Sequence, residues 1–334
     1  MQRPVEDHEA IVIGAGQAGL AAGYHLARRG IEFQILEASP RVGDVWRDRY
    51  DSLRLYSPAK YDALPGYPMP LRRSQFPTGV QMADYLEAYA AHHRLPVRTG
   101  MRVHSLRADA DGAGYEIEAG GRTLHANQVI VASGAFQRPH VPTFASELGA
   151  DIRQIHSADY RNPRQLADGP VLVVGVSHSG ADVAYEAARA GHRTFLSGRP
   201  HGQLPFSVDS RRARVAWPLL RFVAMNLLTL STPIGRKMAP RVRHGGGPLL
   251  RIRRADLQRV GVEWNEARTT GVRNGLPVLD DGTVLEVANV IWCTGFRPDY
   301  SWIELPVTDA DGWPMQERGV VHSAPGLYFL GTPF

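Results

Sequence analysis

Apolar residues in this chain gather into short β-branched blocks, each followed by a glycine-rich turn and then by a longer run of small and helix-forming residues. Ile11-Val12-Ile13 has the length and branching of a buried parallel strand. Gly14, Gly16 and Gly19 follow, then helix formers to Arg29. Gly30 closes the helix, and Phe33 to Leu36 reads as a second strand ending on Glu37. The order returns at Val171 to Val174. Gly175, Ser177, Ser179 and Gly180 form the turn, a helix runs to about Ala190, and Thr194 to Leu196 is the next strand. Between these units the spacing predicts a helix over Thr78 to His93, with Thr78 as cap and Met82, Tyr85, Leu86 and Tyr89 on one face. Arg98 to Gly134 predicts a meander: Tyr115 to Glu118 alternates, Gly120-Gly121 turns, and Val129 to Val131 re-enters a buried sheet. Further on, Arg254 to Glu263 reads as a short helix and strand, and Val272 to Val287 as a hairpin turning at Asp280-Asp281-Gly282. Val290 to Gly295 repeats the strand-then-small-residue pattern of Val131 to Gly134, and Gly326 to Gly331 is a last apolar strand. Alternating strands and helices predict an α/β fold with two Rossmann-like units.

The two turns carry chemistry. In the first, Gly14 permits a tight turn, Gly16 lets backbone approach a pyrophosphate, and Gly19 lets helix pack on strand. The helix start offers free N–H groups and a positive dipole end to phosphates. Glu37, 23 residues after Gly14, stands where a carboxylate accepts hydrogen bonds from a ribose. This reads as an ADP-binding unit. In the second turn Ser177 replaces the middle glycine, and 24 residues after Gly175 the strand end carries Arg199 instead of an acid. Arginine can pair with a 2′-phosphate that an acid would repel. That makes the second unit an NADPH site, with a plain surface arginine as the alternative for Arg199.

Composition narrows the class. The 334 residues are 43% hydrophobic and 21% charged, as in a folded globular protein with room for two domains. Cys293 is the single cysteine, so no dithiol redox pair or cysteine-rich metal site forms within one chain. Met1 to Ala10 carries acids and Arg3 without an apolar core, which is not the pattern of a secretory signal; the expected compartment is cytoplasmic. The net charge of +5 is uneven: Arg189 to Arg259 holds fifteen Lys and Arg against Asp209 and Asp256. Such a segment can serve a phosphorylated cofactor, an anionic surface or simply solvent; no nucleic-acid module accompanies it, and no nucleic-acid partner is expected. Leu219 to Leu230 is too short and, with Arg221 and Asn226, too polar to span a bilayer, so no stable membrane insertion is expected and packing is the preferred reading. Between Arg41 and Gly66, Trp46, Tyr50, Tyr56 and Tyr61 alternate with arginines. Either Gly43 and Trp46 lie against a flat ring system, or the aromatics plug a small satellite core.

Taken together, GAGQAG from Gly14, GDVW from Gly43, IHSADY from Ile155, GVSHSG from Gly175 and CTGFRPDYSWI from Cys293 resemble the flavin-containing (class B) monooxygenases, most of all their YUCCA-like and bacterial members. The resemblance spans nearly the whole chain. It implies a two-dinucleotide-binding-domain flavoprotein with the second domain inserted in the first: FAD on residues 1–157 and 290–334, NADPH on residues 158–289. It implies FAD contacts at Gly14, Gly16, Gln17, Ala18, Gly19, Glu37, Val45, Trp46 and Val103, and NADPH contacts at Gly175, Ser177, His178, Ser179, Gly180 and Arg199, with no metal. His156 and Tyr160 match the second half of the family's FxGxxxHxxxY/F pattern, while Ala150 and Ile152 hold its Phe and Gly places, so both are hinge candidates and no general base is assigned. Tyr160 stands where Baeyer–Villiger members carry Trp, and Tyr56 roughly where animal-type members carry an active-site Asn. The implied reaction passes hydride from NADPH to FAD and forms a C4a-(hydro)peroxyflavin that delivers one oxygen atom of dioxygen to a small organic substrate of N-, S- or carbonyl type. An NADPH oxidase or reductase and a silent flavin-fold binding protein are the alternatives. Family members continue past the GLYFLG strand with a helix facing the flavin, whereas this sequence stops at Phe334.

Overall fold

The computed structural model describes residues 6–109, 112, 114–208, 210–229, 232–237 and 246–332. The first part of the Met1–Ala10 segment and the chain end at Phe334 lie outside the described residues. The chain forms two compact units: one from the N-terminal residues to Arg47, Pro58–Arg138 and Phe296–Thr332, the other from Asp48–Ser57 and Pro139–Gly295. Both are α/β, and the second is inserted in the first along the chain.

In the first unit β1 (Glu6–Ile13), α1 (Gln17–Arg28) and β2 (Phe33–Leu36) form the expected βαβ element, the two strands pairing in parallel from Ala10↔Phe33 to Ile13↔Leu36. The Gly79–His92 helix (α2) starts on Thr78. The Thr78 hydroxyl accepts from the Gln81 N–H, and the Gln81 side chain reaches back to the Thr78 N–H, a capping box that satisfies two otherwise free donors. The meander is β3 (Val103–Ala108), β4 (Tyr115–Ala119) and β5 (Arg122–Val131). The ten residues of β5 serve three partners. The first part pairs antiparallel with β4, while the part ending in Val129-Ile130-Val131 lies parallel between β1 and the Leu327–Phe329 strand. The continuous apolar run Val129-Ile130-Val131 is the part with a parallel neighbour on each side, β1 and the Leu327–Phe329 strand. Ile11, Ile13, Tyr115, Ile117, Leu124, Val129, Val131 and Phe329 make the core of this unit.

The second unit has β6 (Arg153–His156), β7 (Val171–Val174), α3 (His178–Arg189), β8 (Thr194–Ser197) and α4 (Arg211–Asn226), followed by β9 (Glu263–Asn265), β10 (Thr269–Arg273), β11 (Leu276–Leu279) and β12 (Asn289–Trp292). Its parallel sheet runs β9-β8-β7-β12-β6. Ile152, in the place where the family pattern has Gly, fills this unit's core beside Leu172, Val174, Val290 and Trp292.

Two expectations change here. The β10–β11 hairpin turns at Asn274-Gly275, not at Asp280–Gly282. Asn274 at φ 52° and Gly275 at φ 79° are the left-handed pair that a two-residue hairpin turn requires, and Asn-Gly supplies it at little cost. The Asp280–Gly282 turn returns the chain for one further bridge, Val278↔Val284. On α4, Leu219 is 65% exposed and Phe222 and Met225 are each 57% exposed, so these three do not pack as expected. No helix among the described residues is long and apolar enough to cross a membrane.

Candidate functional site

Each unit carries a glycine turn, and the two are built alike. Gly14 sits at φ +108° and Gly175 at φ +109°. A Cβ on Gly14 would lie 2.5 Å from the Ala132 carbonyl oxygen, and one on Gly175 would lie 2.4 Å from that of Cys293. A Cβ on Gly19 would lie 1.8 Å from the Gly14 carbonyl oxygen, and one on Gly180 would lie 1.9 Å from that of Gly175. Only glycine fits at these four places, because helix, turn and the neighbouring strand end converge on them. The small residues after Val131 and Trp292 are thereby explained: Ala132 and Cys293 are the strand ends against which the turns close.

The units differ at the middle position. A Cβ on Gly16 would meet nothing within 4 Å, so the first turn leaves the space a pyrophosphate needs. Ser177 holds the matching place in the second turn. Its hydroxyl accepts from the Gly247 N–H at 3.1 Å and donates to the Gly247 carbonyl oxygen at 3.3 Å.

The strand ends differ as well. The Glu37 carboxylate accepts from the Ala15 N–H through Oε2 and from the Ser39 N–H through Oε1, each at 2.8 Å. Two acceptor positions remain for hydroxyls of a ligand, since a carboxylate has about four lone-pair sites. Met101 N–H donates to the Glu37 carbonyl at 2.8 Å, which brings the chain leading into Val103 beside this strand end, while Val103 packs against the buried cluster of the sheet. The Trp46 indole donates to the Gln17 side chain at 3.3 Å, placing its ring at the start of α1, and Val45 beside it is 49% exposed. Ala18 lies against Gly331, where an added Cβ would sit 2.9 Å from the Ala18 Cβ. In the second unit Arg199 is 64% exposed, and its guanidinium stands 3.7 Å from the Asp280 carboxylate, a loose pair that solvent weakens. Trp264 donates to the Gly198 carbonyl at 3.0 Å and so fixes the backbone that presents Arg199. Ser179, in the first turn of α3, is half-buried.

The structure ties the segment Asp48–Ser57 to α3. Tyr50 and Tyr56 both donate to Asp182 Oδ2, at 3.0 and 2.7 Å, and burial pushes both phenols far above the ordinary tyrosine range. Arg251 donates to the Arg54 and Leu55 carbonyls at 3.0 and 2.6 Å and sits over the Tyr56 ring. The Tyr56 ring also packs on that of His178, 4.7 Å between centroids and tilted by 38°. These two tyrosines therefore belong to a satellite core within the second unit. Asp182 was not singled out in the sequence. With Glu186 it is one of two acids a turn apart on this helix, and nothing local marks it as the partner of the tyrosines.

His156 is held at both ring nitrogens. Nδ1 accepts from the Ala158 N–H at 3.0 Å, so Nε2 carries the proton and donates to the Gly295 carbonyl at 3.1 Å. Burial lowers its pKa. The ring bridges the end of β6 to the chain after β12 within the second unit. Tyr160 is fully buried and donates to Glu186 at 3.2 Å, burial raising both pKa values. Neither group is arranged to exchange protons with a bound reactant. Burial pushes the Cys293 thiol up to about 12, which keeps it protonated at neutral pH and unfit as a redox nucleophile. Asp109, Glu116 and His125 lie close enough to share an ion, but the Asp109–His125 contact at 3.0 Å and the Arg107–Glu116 pair account for them as a charge network on the meander.

Comparison with known proteins places this architecture. Residues 11–211 match the pyridine nucleotide-disulphide oxidoreductase family. An uncharacterized CzcO-like oxidoreductase of Geobacillus kaustophilus is 36% identical over 327 residues, covering 98% of this chain and 91% of that protein. The indole-3-pyruvate monooxygenase YUCCA1 of Oryza sativa is 35% identical over 184 residues, covering 54% of this chain and 45% of that protein. Among solved structures, a flavin-containing monooxygenase from Stenotrophomonas maltophilia superposes with a TM-score of 0.75 at 27% identity, covering 98% of this chain and 90% of that one. The family's name refers to a disulphide, yet this chain has one cysteine and keeps it protonated, so it shares the nucleotide-binding frame without a dithiol. The chain belongs to the pyridine nucleotide-disulphide oxidoreductase family, on its flavin-containing monooxygenase side, and is an NAD(P)H-dependent flavoprotein oxidoreductase.

Proposed function

We propose that the chain is an FAD- and NADPH-dependent monooxygenase that inserts one oxygen atom of dioxygen into a small organic substrate of N-, S- or carbonyl type. The observation that carries this reading is the pair of matched glycine turns with opposite strand ends, Glu37 in one unit and Arg199 in the other. Two nucleotides of different charge are thereby called for in one chain. The single, protonated cysteine removes the dithiol relay by which a related frame would otherwise pass electrons on.

The residues present fit the two groups. In the first unit the open space at Gly16 and the free N–H groups at the start of α1 suit the FAD pyrophosphate, Gly14 and Gly19 allow the close approach, and Glu37 accepts from the ribose. Gln17, Ala18, Val45, Trp46 and Val103 complete that binding set, with Trp46 anchored through Gln17. In the second unit Gly175 and Gly180 shape the turn, Ser177, His178 and Ser179 open α3 toward the nucleotide, and Arg199 pairs with the 2′-phosphate. When bound, FAD supplies acceptance of hydride and activation of oxygen, chemistry that no side chain here provides. The protein binds and orients the two nucleotides and keeps water from the reacting atoms. His156 and Tyr160, engaged with their own neighbours within the second unit, are assigned no step.

Isotope labelling tests the reaction class. A panel of amines, sulfides and carbonyl compounds is offered to the FAD-loaded protein with NADPH under 18O2. One labelled atom in an organic product supports the monooxygenase reading. NADPH consumption that yields labelled peroxide and no labelled organic product, across the panel, refutes it in favour of an oxidase.

A further inference from the structure

We propose that Ser177 is a latch: its hydroxyl holds Gly247, and the Gly246–Pro248 segment so held covers the pyrophosphate position of the second dinucleotide turn until NADPH displaces it. The proposal rests on the reading of the second unit as the NADPH site.

Four observations within the second unit converge. First, the position that is empty at Gly16 is occupied at Ser177, whose one hydroxyl makes both contacts to Gly247. Second, Ser177 is the N-cap of α3 but makes no side-chain cap hydrogen bond. An N-cap serine ordinarily satisfies an N–H of the helix's first turn. Here the hydroxyl is spent on Gly247, and the first-turn donors are left for an anion. Third, the segment lies directly on the residues that open the helix. A Cβ on Gly246 would fall 3.1 Å from the Ser177 Cβ and 2.8 Å from the His201 ring, and one on Gly247 would fall 2.6 Å from the His178 ring. The absence of side chains at both positions is what lets the segment seat. Fourth, the segment has a fixed end and a short reach. Leu249 N–H donates to the Gly202 carbonyl at 2.9 Å and the Leu249 carbonyl accepts from Leu204 N–H at 3.1 Å, while Arg251 is pinned to Arg54 and Leu55. Residues 246–248 can lift while Leu249 stays in place.

The energy at stake is small enough for a ligand to overcome. Two neutral hydrogen bonds from the Ser177 hydroxyl, together with one between His178 and the Pro248 backbone, hold the covered state. Losing their net contribution raises the uncovered fraction, and the apparent affinity for NADPH rises in proportion to that fraction. A change of about fivefold corresponds to ~1 kcal/mol, the usual net value of one such bond.

Hydrogen–deuterium exchange and NADPH titration of the FAD-loaded protein test the latch together. Ser177→Gly removes the hydroxyl and restores glycine at the middle position. Gly247→Ala blocks seating from the other side with Ser177 intact, because the His178 ring it would meet is backed by the Tyr56 ring. We expect residues 246–250 to exchange faster in both variants without nucleotide, and in the unmodified protein once NADP+ is added. Both variants should bind NADPH about fivefold more tightly. Slower exchange of 246–250 on adding NADP+, or weaker NADPH binding in either variant, overturns the proposal, since the segment would then be a lid on bound nucleotide or Ser177 a direct phosphate ligand. If NADPH fails to bind or to reduce the flavin of the unmodified protein, the cofactor reading falls instead. The nucleotide-free exchange of Ser177→Gly, unchanged or faster, then still decides whether the hydroxyl holds the segment.

Discussion

Arg199→Ala separates the two nicotinamide nucleotides. The guanidinium is 64% exposed and paired only loosely, at 3.7 Å, with Asp280, so little intrinsic stability depends on it. A charge-assisted hydrogen bond to a phosphate contributes about 1.5–3 kcal/mol, and exposure to solvent argues for the low end of that range. The substitution should therefore raise the Kd for NADPH about tenfold. NADH, which has no 2′-phosphate, should change by less than about twofold. The reverse perturbation follows from the same geometry. Asp280 competes with the phosphate for Arg199, and Asp280→Asn should tighten NADPH about two- to threefold, as expected for removing one exposed pair. Stopped-flow flavin reduction over a range of NADPH and NADH concentrations, for the unmodified protein and both variants, gives the constants needed. Equal weakening of NADPH and NADH by Arg199→Ala, or no effect on NADPH, refutes the 2′-phosphate assignment.

Gly19→Ala puts a methyl 1.8 Å from the Gly14 carbonyl oxygen and should lower the melting temperature and yield protein with little FAD. Gly16→Ala, which meets no protein atom, should leave the apoprotein's melting temperature unchanged while weakening FAD. Cys293→Ala should retain NADPH-dependent flavin reduction, because the thiol, pushed up to about 12, is protonated at working pH; loss of reduction would show electrons passing through it. For His156, burial lowers the folded-state pKa below the unfolded value of about 6.5, so its neutral form is the one the fold favours. Stability is thus complete above pH ~6.5 and declines as pH falls below it, because the unfolded chain takes up the proton more readily. As pH falls below about 6.5, the melting temperature should drop less steeply in His156→Gln than in the unmodified protein; parallel curves would contradict this.

Much of this architecture is written in local pattern. Strand, glycine turn and helix are adjacent in the chain, so Gly14, Gly19, Gly175 and Gly180 could be placed from spacing alone, as could the Thr78 cap and the strand ends at Glu37 and Arg199. What pattern could not reach are contacts between distant stretches. Tyr50 and Tyr56 meet Asp182 across more than a hundred residues, and nothing near any of the three announces it. Ser177 and Gly247 are seventy residues apart, so a serine in a glycine fingerprint looked like an imperfect match when it is a bonding partner. The hairpin error had another cause: Asn274-Gly275 and Asp281-Gly282 both carry turn chemistry, and only the strand pairing decides between them. The exposed apolar side chains of α4 defeated the assumption that an apolar run packs.

The central claim is that one chain joins two nucleotides for oxygen transfer, and the flavin spectrum tests it most directly. Purified protein loaded with FAD is mixed anaerobically with NADPH, then with oxygenated buffer, while absorbance is followed in time. The account predicts that the oxidised flavin bands bleach on NADPH. On oxygen, a transient spectrum distinct from both oxidised and reduced flavin should then appear before the bands return. Immediate return of the oxidised bands with one peroxide released per flavin would contradict it, and so would flavin that NADPH leaves oxidised.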